Sequence, residues 1–233
     1  METGYDILFF WVARMIMMGL TLTGKPPFAT VYLHGLVRDE KNRKMSKSLG
    51  NVLDPREVSD KYGTDAVRMA LVVGATAGND LAVGETKIKG YRNFSNKIWN
   101  IARFVLTNVA SEKLKVKSIK FEEKDKKDLA RLDEIIKQIT KYLDNLQFSR
   151  AGELLYEYTW HEFADKIIEE TKPRLRDGNK KEKLAAQFKL FTILTACLKM
   201  LHPFVPFVTE AIWQQIPDHL KDNKNLIATS WPK

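Results

Sequence analysis

Two lysines, two serines and a glycine fall within one short segment, "RKMSKSLGN", residues 43–51. Lys44 and Lys47 stand three residues apart, with Met45 between them and Ser46 and Ser48 beside them. Each lysine offers a compact charge and three donors, so the pair suits an anion with several oxygens, a polyphosphate above all. The serine hydroxyls donate or accept alongside, and Gly50 lets the backbone fold back. The segment is not a P-loop, because the G-x-x-x-x-G-K spacing is absent. Taken alone, it also reads as a lysine- and serine-rich surface loop.

The elements that must hold this segment can be read on either side. "TVYLHGLVR", residues 30–38, alternates and is β-branched, which predicts one strand, with His34 and Gly35 near its end. "DEKNR", 39–43, is a polar turn. Beyond the lysines, Asp54 reads as an N-cap, with Pro55 in the first turn and Glu57 at the third helical position. Gly63 ends that helix, Thr64 caps the next, and residues 74–80 form a loop. Upstream, "ILFFWVARMIMMGL" predicts a buried helix, interrupted by Ala13-Arg14 and too short to span a bilayer.

From about residue 85 the pattern is helical. Phe94, Ile98, Ile101, Val105 and Val109 mark one buried face. Leu129, Leu132, Ile135, Ile136, Ile139, Tyr142, Leu143 and Leu146 mark a second. A third helix follows Ser149 and ends before Pro173, a fourth covers about 182–201, and a short fifth follows Pro206. Residues 111–128 and 174–183 read as charged, solvated connectors. The expected fold class is mostly α: the end of a Rossmann-type α/β nucleotide-binding domain, then an α-helical bundle.

Charge and cysteine content narrow the function classes. The net charge of +9 is uneven: residues 1–90 carry 12 Lys/Arg against 10 Asp/Glu, and residues 91–233 carry 26 against 19. The second part therefore favours an anionic partner such as nucleic acid, or presents a solvated lysine face. Cys197, the only cysteine, permits no intramolecular disulfide, which suits a reducing cytoplasm, and its apolar setting makes it a small core residue. No signal peptide, membrane partner or metal site is expected, and a monomer is.

The segment Lys44-Met45-Ser46-Lys47-Ser48 matches the second signature of the class I aminoacyl-tRNA synthetases. Around it, "ETGYDILFFWVARMIMMGL", "VYLHGLVRDEKNRKMSKSLGNVLDP" and "YRNFSNKIWNIARF" resemble the valyl-tRNA synthetases, and "LHPFVPFVTEAIW" resembles the last helices of their anticodon-binding domain. The resemblance implies a lysine loop that closes on ATP, carried with Mg2+, and makes Lys47, supported by Lys44, the residue that meets the phosphates during adenylate formation. Lys44, Met45, Ser46, Lys47 and Ser48 then belong to the ATP site. So do Thr3, Gly4 and Asp6, where the family binds the ribose, and His34 and Gly35, where it contacts adenosine. Ile7 and Trp11, four apart on a helix, read by pattern as ordinary core; the resemblance makes them walls of a valine pocket.

The resemblance divides the chain into the end of a catalytic domain (1–53), a connecting subdomain (54–90) and a helical anticodon-binding domain (91–233), with tRNA(Val) as the partner. Arg92, Asn96, Trp99 and Arg103 lie opposite the Phe94/Ile98 face, where an aromatic among arginines can stack a base, and Phe104 lies between the faces. Trp99 packed against the neighbouring subdomain is the alternative. The family's His-x-Gly-His tetrad does not occur in this sequence, so the expectation is a fragment, inactive alone, of an enzyme that activates valine. Other readings are a non-catalytic RNA-binding module and a fragment of the isoleucine or leucine enzyme.

Overall fold

The computed structural model describes residues 1–109 and 119–232. Near the N-terminus, β1 (Glu2–Gly4) pairs in parallel with β2 (Tyr32–His34), setting Thr3 against Leu33 and Gly4 against His34. Parallel neighbours need a crossover, and here it is helical. Tyr5–Ile7 makes a 3₁₀ turn, Leu8–Val12 a π turn, and α1 (Ala13–Thr23) completes the run, which stops at left-handed Gly24. The expected burial of this run is corrected: Val12 is buried, but Phe9 and Phe10 are 82% and 73% exposed, and Trp11, Met17, Met18, Leu20 and Leu22 are exposed too. No described residue covers that outer face. The argument from length is corrected as well. At 19 residues, Tyr5–Thr23 is long and apolar enough to cross a membrane, as is Lys180–Leu201, which is mostly buried in the bundle.

The single strand expected at 30–38 is two strands. The chain breaks at Gly35 and Leu36, then resumes as β3 (Val37–Arg38), parallel to β4 (Leu81–Ala82). Loop 74–80 crosses at the break: a Cβ on Gly35 would lie 1.7 Å from the Asn79 carbonyl oxygen. The Leu36 N–H donates to Asp80 Oδ1 at 2.9 Å instead of to a ladder.

α2 (Pro55–Tyr62) begins as its sequence predicts, with the Asp54 carboxylate accepting from the Arg56 N–H at 2.7 Å. α3 (Thr64–Val72) follows at once; Gly63, at φ +91°, occupies the capping position, so Thr64 is the first helical residue and not the cap. Val58, Ala66, Ala70, Val83 and Ile88 form a small core here. Ile88 belongs to α4 (Glu85–Asn108), whose Phe94, Ile98, Ile101 and Val105 enter the larger core. One unbroken helix thus serves both cores, and a division at residue 90 falls inside it.

The bundle adds α5 (Glu123–Asp144), α6 (Phe148–Glu157), α7 (Glu169–Asp177), α8 (Lys180–Leu201) and α9 (Pro206–Trp213), with π-helical Tyr158–Ile168 joining α6 to α7. Leu146 departs from its predicted stripe: it lies beyond α5, exposed, at φ +57°. Pro173 does not end its helix. A mid-helix proline loses one hydrogen bond and crowds the turn before it. Buried Ile167, Ile168 and Thr171 ahead of it, and Arg174 just after it, tie the segment to the bundle. The connector expected at 174–183 is corrected accordingly. Only Gly178 and Asn179 separate α7 from α8, and Arg174 grips the fully buried Asp125 of α5 at 2.7 and 3.0 Å. Of the connector expected at 111–128, residues 111–118 lie outside the described residues and Glu123 onward is α5. Cys197 is a core residue as read, its thiol pushed up to about 12 by burial.

Candidate active site and nucleic-acid interface

The carboxyl ends of parallel strands, where the chain turns into helix, are where open α/β sheets bind ligands. β1 and β2 end side by side, with Gly4 beside His34. The 3₁₀ turn after β1 folds Asp6 back over Gly4: a Cβ there would lie 2.6 Å from Asp6 Oδ1 and 3.6 Å from His34 Cε1. Strand pairing therefore brings Thr3, Gly4 and Asp6 against His34 and Gly35, although 28 residues separate Asp6 from His34. His34 Nδ1 lies 2.8 Å from the Gly35 carbonyl oxygen, and Nε2 is 3.3 Å from Glu2 Oε1. The Asp6 carboxylate and one rim of the His34 ring remain at the surface, a carboxylate and an imidazole above a bare glycine backbone.

A support that sequence reading missed lies beneath them. Asp80 accepts from the Leu36 N–H and forms an ion pair with Arg38, and the Tyr5 hydroxyl lies near enough to feel its charge. The bonds from Leu36 and Arg38 hold its carboxyl below the usual range, and the carboxylate in turn pushes the Tyr5 hydroxyl above its own. The turn bearing Asp6 thus lies near the carboxylate that braces the strand leading to the lysines. Asp80 sits in a loop of small residues, "GATAGND", and nothing local marks it as a support.

The lysine segment hangs from β3. Arg38 and Lys44 form an antiparallel bridge across the 39–43 turn. Lys47–Leu49 makes a single 3₁₀ turn, capped where Ser46 Oγ accepts from the Leu49 N–H at 3.3 Å, and Gly50 closes it at φ +63°. Ser46 and Ser48 hydroxyls are 3.2 Å apart. Among the described residues, no partner pairs with the ammonium of Lys44 or of Lys47, which leaves both charges available to a ligand. Sequence reading also missed what holds the base of this loop, Asp39 and Asn51. Asp39 Oδ1 accepts from the N–H groups of Lys41 and Arg43 at 3.0 and 2.8 Å, and its Oδ2 takes the Arg43 guanidinium at 2.7 Å. Asn51 donates to Asp39 Oδ2 at 3.0 Å. With Arg43, it holds that carboxyl well below the usual carboxylate range. An aspartate opening a polar turn was a legible signal.

Ile7 and Trp11 both lie exposed on the crossover, Trp11 at 51%. Ile7 closes the tight 3₁₀ turn and Trp11 sits in the wider π turn that follows, so the spacing that would share a face on an α-helix is realised across a change of pitch, and π turns recur at functional sites.

On the polar side of α4, Arg92, Asn96, Trp99 and Arg103 are all exposed, Trp99 at 39%. The first three face a groove whose far wall is the α2–α3 turn, Asp60 to Ala66, and whose floor includes Phe207 and Val208 at the start of α9. Trp99 therefore stands beside the neighbouring subdomain with part of its ring open. Phe104 differs: it packs partly into the core, with Lys172 Nζ 5.7 Å above its ring. Among the described residues no group of three or more His, Cys, Asp or Glu side chains is placed to hold a metal ion.

Residues 1–84 match the family of class I tRNA synthetases (I, L, M and V), and residues 125–233 match the anticodon-binding domain of tRNA ligase. The valine–tRNA ligase of Symbiobacterium thermophilum is 48% identical over 92% of this chain and 24% of its own length. The valine–tRNA ligase of Petrotoga mobilis is 46% identical over 99% of this chain and 26% of its own. The chain thus spans about a quarter of the relatives it matches. Among solved structures, a Mycobacterium tuberculosis methionyl-tRNA synthetase in complex with methionyl-adenylate superposes with a TM-score of 0.74 over 94% of this chain and 44% of that one, at 22% identity. The Agrobacterium radiobacter K84 LeuRS–tRNA–LeuAMS ternary complex gives 0.72 over 99% and 28%, at 21% identity, and at that level only the fold is shared. Two domain matches in sequence order, with valine–tRNA ligases similar along nearly its whole length, make this chain a member of the valine–tRNA ligase family of class I tRNA synthetases.

Proposed function

We propose that this chain supplies the ATP-phosphate loop, part of the amino-acid pocket and the tRNA-binding bundle of a valine–tRNA ligase. The observation that carries this reading is the placement of Thr3, Gly4 and Asp6 against His34 at two parallel strand ends, with the unpaired lysines of 44–48 hung from the strand that follows. In the proposed reaction, a valine carboxylate oxygen attacks the α-phosphorus of ATP. The bond to the β-phosphate oxygen breaks and pyrophosphate leaves. Asp6 accepts the ribose hydroxyls, and His34 and Gly35 border the adenosine. Lys47, supported by Lys44, meets the negative charge gathering on the leaving phosphates, the place where fixed cations lower a barrier most. ATP brings Mg2+ on its phosphates as part of the substrate. Ile7 and Trp11 wall the valine side chain. The carbonyl carbon of the valyl-adenylate then passes to a ribose hydroxyl of tRNA(Val), releasing AMP.

The RNA partner falls to the bundle, whose residues 91–233 carry the larger positive excess and the open Arg92/Asn96/Trp99/Arg103 face, with Phe104 at its margin. We assign the ligase to the cytoplasm and treat it as a monomer. The divisions at 53 and 90 are functional ones, the second crossing α4. The test is complementation. The 233-residue chain alone should show no valine-dependent ATP–pyrophosphate exchange, and addition of the separately produced upstream part of a related ligase should restore it. Exchange by the chain alone, or none after addition of a partner shown to bind it, would contradict the assignment.

A further inference from the structure

We propose that Asn51 and Asp39 are positioning residues: together they latch the base of the lysine segment and set the attitude in which Lys44 and Lys47 meet a polyphosphate. This inference rests on the phosphate reading of that segment. Asn51 uses its amide at both ends. Its Oδ1 accepts from the Ser46 N–H at 2.9 Å, while its Nδ2 donates to the Lys44 carbonyl at 3.1 Å and to Asp39 Oδ2 at 3.0 Å. Residues 44–51 are thereby drawn into a ring, with both ammonium groups outside it. The other ties within the ring are the weak Ser46 cap, the 3.2 Å contact between the Ser46 and Ser48 hydroxyls, and the 3₁₀ turn the cap starts.

Asp39 is in turn fixed from behind. Its carboxylate is saturated by Arg43 and by two backbone N–H groups. The next residue, Glu40, sets its carboxylate against the first turn of α4, accepting from the Thr86 N–H at 3.2 Å, where the positive end of the helix favours an anion. Gly84 leaves room for it, since a Cβ there would stand 1.7 Å from Glu40 Cγ. The latch therefore hangs from a 24-residue helix and not from another loop. A cavity lined by Asp39, Arg43, Asn51, Leu53, Val83 and Gly84 lies directly behind it, giving the segment space to move if the latch opens. A loop with two like charges three residues apart, neither of them paired, needs such a restraint to present them together.

The test uses the intact chain, with trypsin as a probe of the latch and inorganic tripolyphosphate as a probe of the lysines. Cleavage after Lys44 and after Lys47 should be slow in the wild type. Asn51→Ala and Asp39→Asn should each raise it about tenfold, the loss of more than one net hydrogen bond, with cleavage outside residues 39–51 and the melting temperature unchanged. The exchanged pair Asp39→Asn with Asn51→Asp restores an amide–carboxylate contact and should recover part of the protection, a coupling that independent structural roles would not give. Tripolyphosphate affinity should fall several-fold in Asn51→Ala and return in part in the exchanged pair. Unchanged cleavage in Asn51→Ala, an exchanged pair no better than the sum of its singles, or tripolyphosphate bound equally by wild type and Asn51→Ala would each overturn the latch. Failure of the wild type to bind tripolyphosphate would instead remove the phosphate reading, and the cleavage rates would still decide whether the latch exists.

Discussion

Gly4 and His34 occupy the same level of two parallel strands, and the Asp6 carboxylate lies over the glycine where any other residue would place its Cβ. Glycine here is a matter of space and not of torsion, because Gly4 has φ −64°. Gly4→Ala should fold with little loss of stability, since the crowded atom ends a mobile side chain. The displaced Asp6 should then lose its hold on the ribose. In a full-length ligase carrying this segment, we predict an ATP KM raised about tenfold or more, the scale of one hydrogen bond to a charged group, with the valine KM held. Equal ATP KM values would remove Asp6 from the nucleotide.

Lys47→Ala in the same full-length setting should act on rate and not on amino-acid binding. Its ammonium has no partner among the described residues, so removing it orphans none of them. Loss of one preorganised charge at a developing anion typically costs about 10²–10³ in rate. Presteady-state adenylate formation should fall by that much with valine affinity unchanged. The reverse pattern would reassign the lysine to the pocket.

Asp125 makes a stability prediction independent of function. It is fully buried and takes Arg174 bidentately, with Lys189 Nζ at 3.0 Å. Burial alone would raise its pKa, but the hydrogen bonds from Arg174 and Lys189 outweigh it and hold the carboxyl below its usual range. Because the folded pKa is depressed, its contribution is present above the unfolded value of about 3.9 and is lost as pH falls through the folded one. Asp125→Ala should cost about 3 kcal/mol, the low end for breaking a buried pair, because Lys189 keeps Asp128 at 2.7 Å and Arg174 keeps Glu122 at 3.5 Å, and so lower the melting temperature by about 10 °C. The variant should also lack part of the wild type's loss of stability below about pH 4. A melting temperature within a degree of wild type would show the cluster to be solvated.

Hydrophobic spacing made the bundle legible. Phe94, Ile98, Ile101 and Val105, or Leu132, Ile135, Ile136 and Ile139, repeat at three and four, and each is buried. The lysine segment was legible as chemistry because cations and glycine need no tertiary context to suggest an anion. What failed depended on distant partners. Arg174 looks like one more charge in a solvated run until Asp125, 49 residues away, is placed against it. The 30–38 strand breaks only because Asn79 crosses at Gly35. Ile7 to Leu20 reads as core because apolar content records burial without saying which surface supplies it. Asn51 and Asp39 were overlooked because a latch is a relation between two polar residues, and each alone is an ordinary loop residue.

Tyr158 offers a smaller check on the core. Its ring is fully buried, and its hydroxyl has no hydrogen-bond partner among the described residues. Burial raises its pKa strongly. An unpaired buried hydroxyl is a cost, so Tyr158→Phe should be neutral or stabilise by about 1 kcal/mol. Chemical denaturation would measure it. A loss of stability would reveal a partner for the hydroxyl, such as an enclosed water.

The last prediction concerns the groove beside α4. Trp99 stands between Asn96 and the α2–α3 turn with part of its ring open, and Arg92 and Arg103 flank it on the same polar face. If this face takes RNA, the 233-residue chain should bind tRNA(Val) without ATP or valine, and binding should weaken with salt as phosphates release counterions. On single strands the log–log slope is about −0.7 per contact. Arg103, exposed and without a partner among the described residues, should behave as one such contact: Arg103→Ala should lower the slope by about that amount while leaving preference among tRNAs intact. Trp99→Ala should instead cost about 1–3 kcal/mol at every salt concentration if a base stacks on the ring. Its melting temperature should fall only modestly, by what the covered part of the ring contributes, since 39% of the residue is exposed. Titrations of tRNA(Val), and of the same tRNA with an altered anticodon, across several salt concentrations separate the outcomes. Equal affinity for the two would reduce the interface to charge alone. A Trp99→Ala variant that binds normally but melts early would place the ring against Asp60 to Ala66 as a joint between the subdomains, with the stacking surface elsewhere on the bundle.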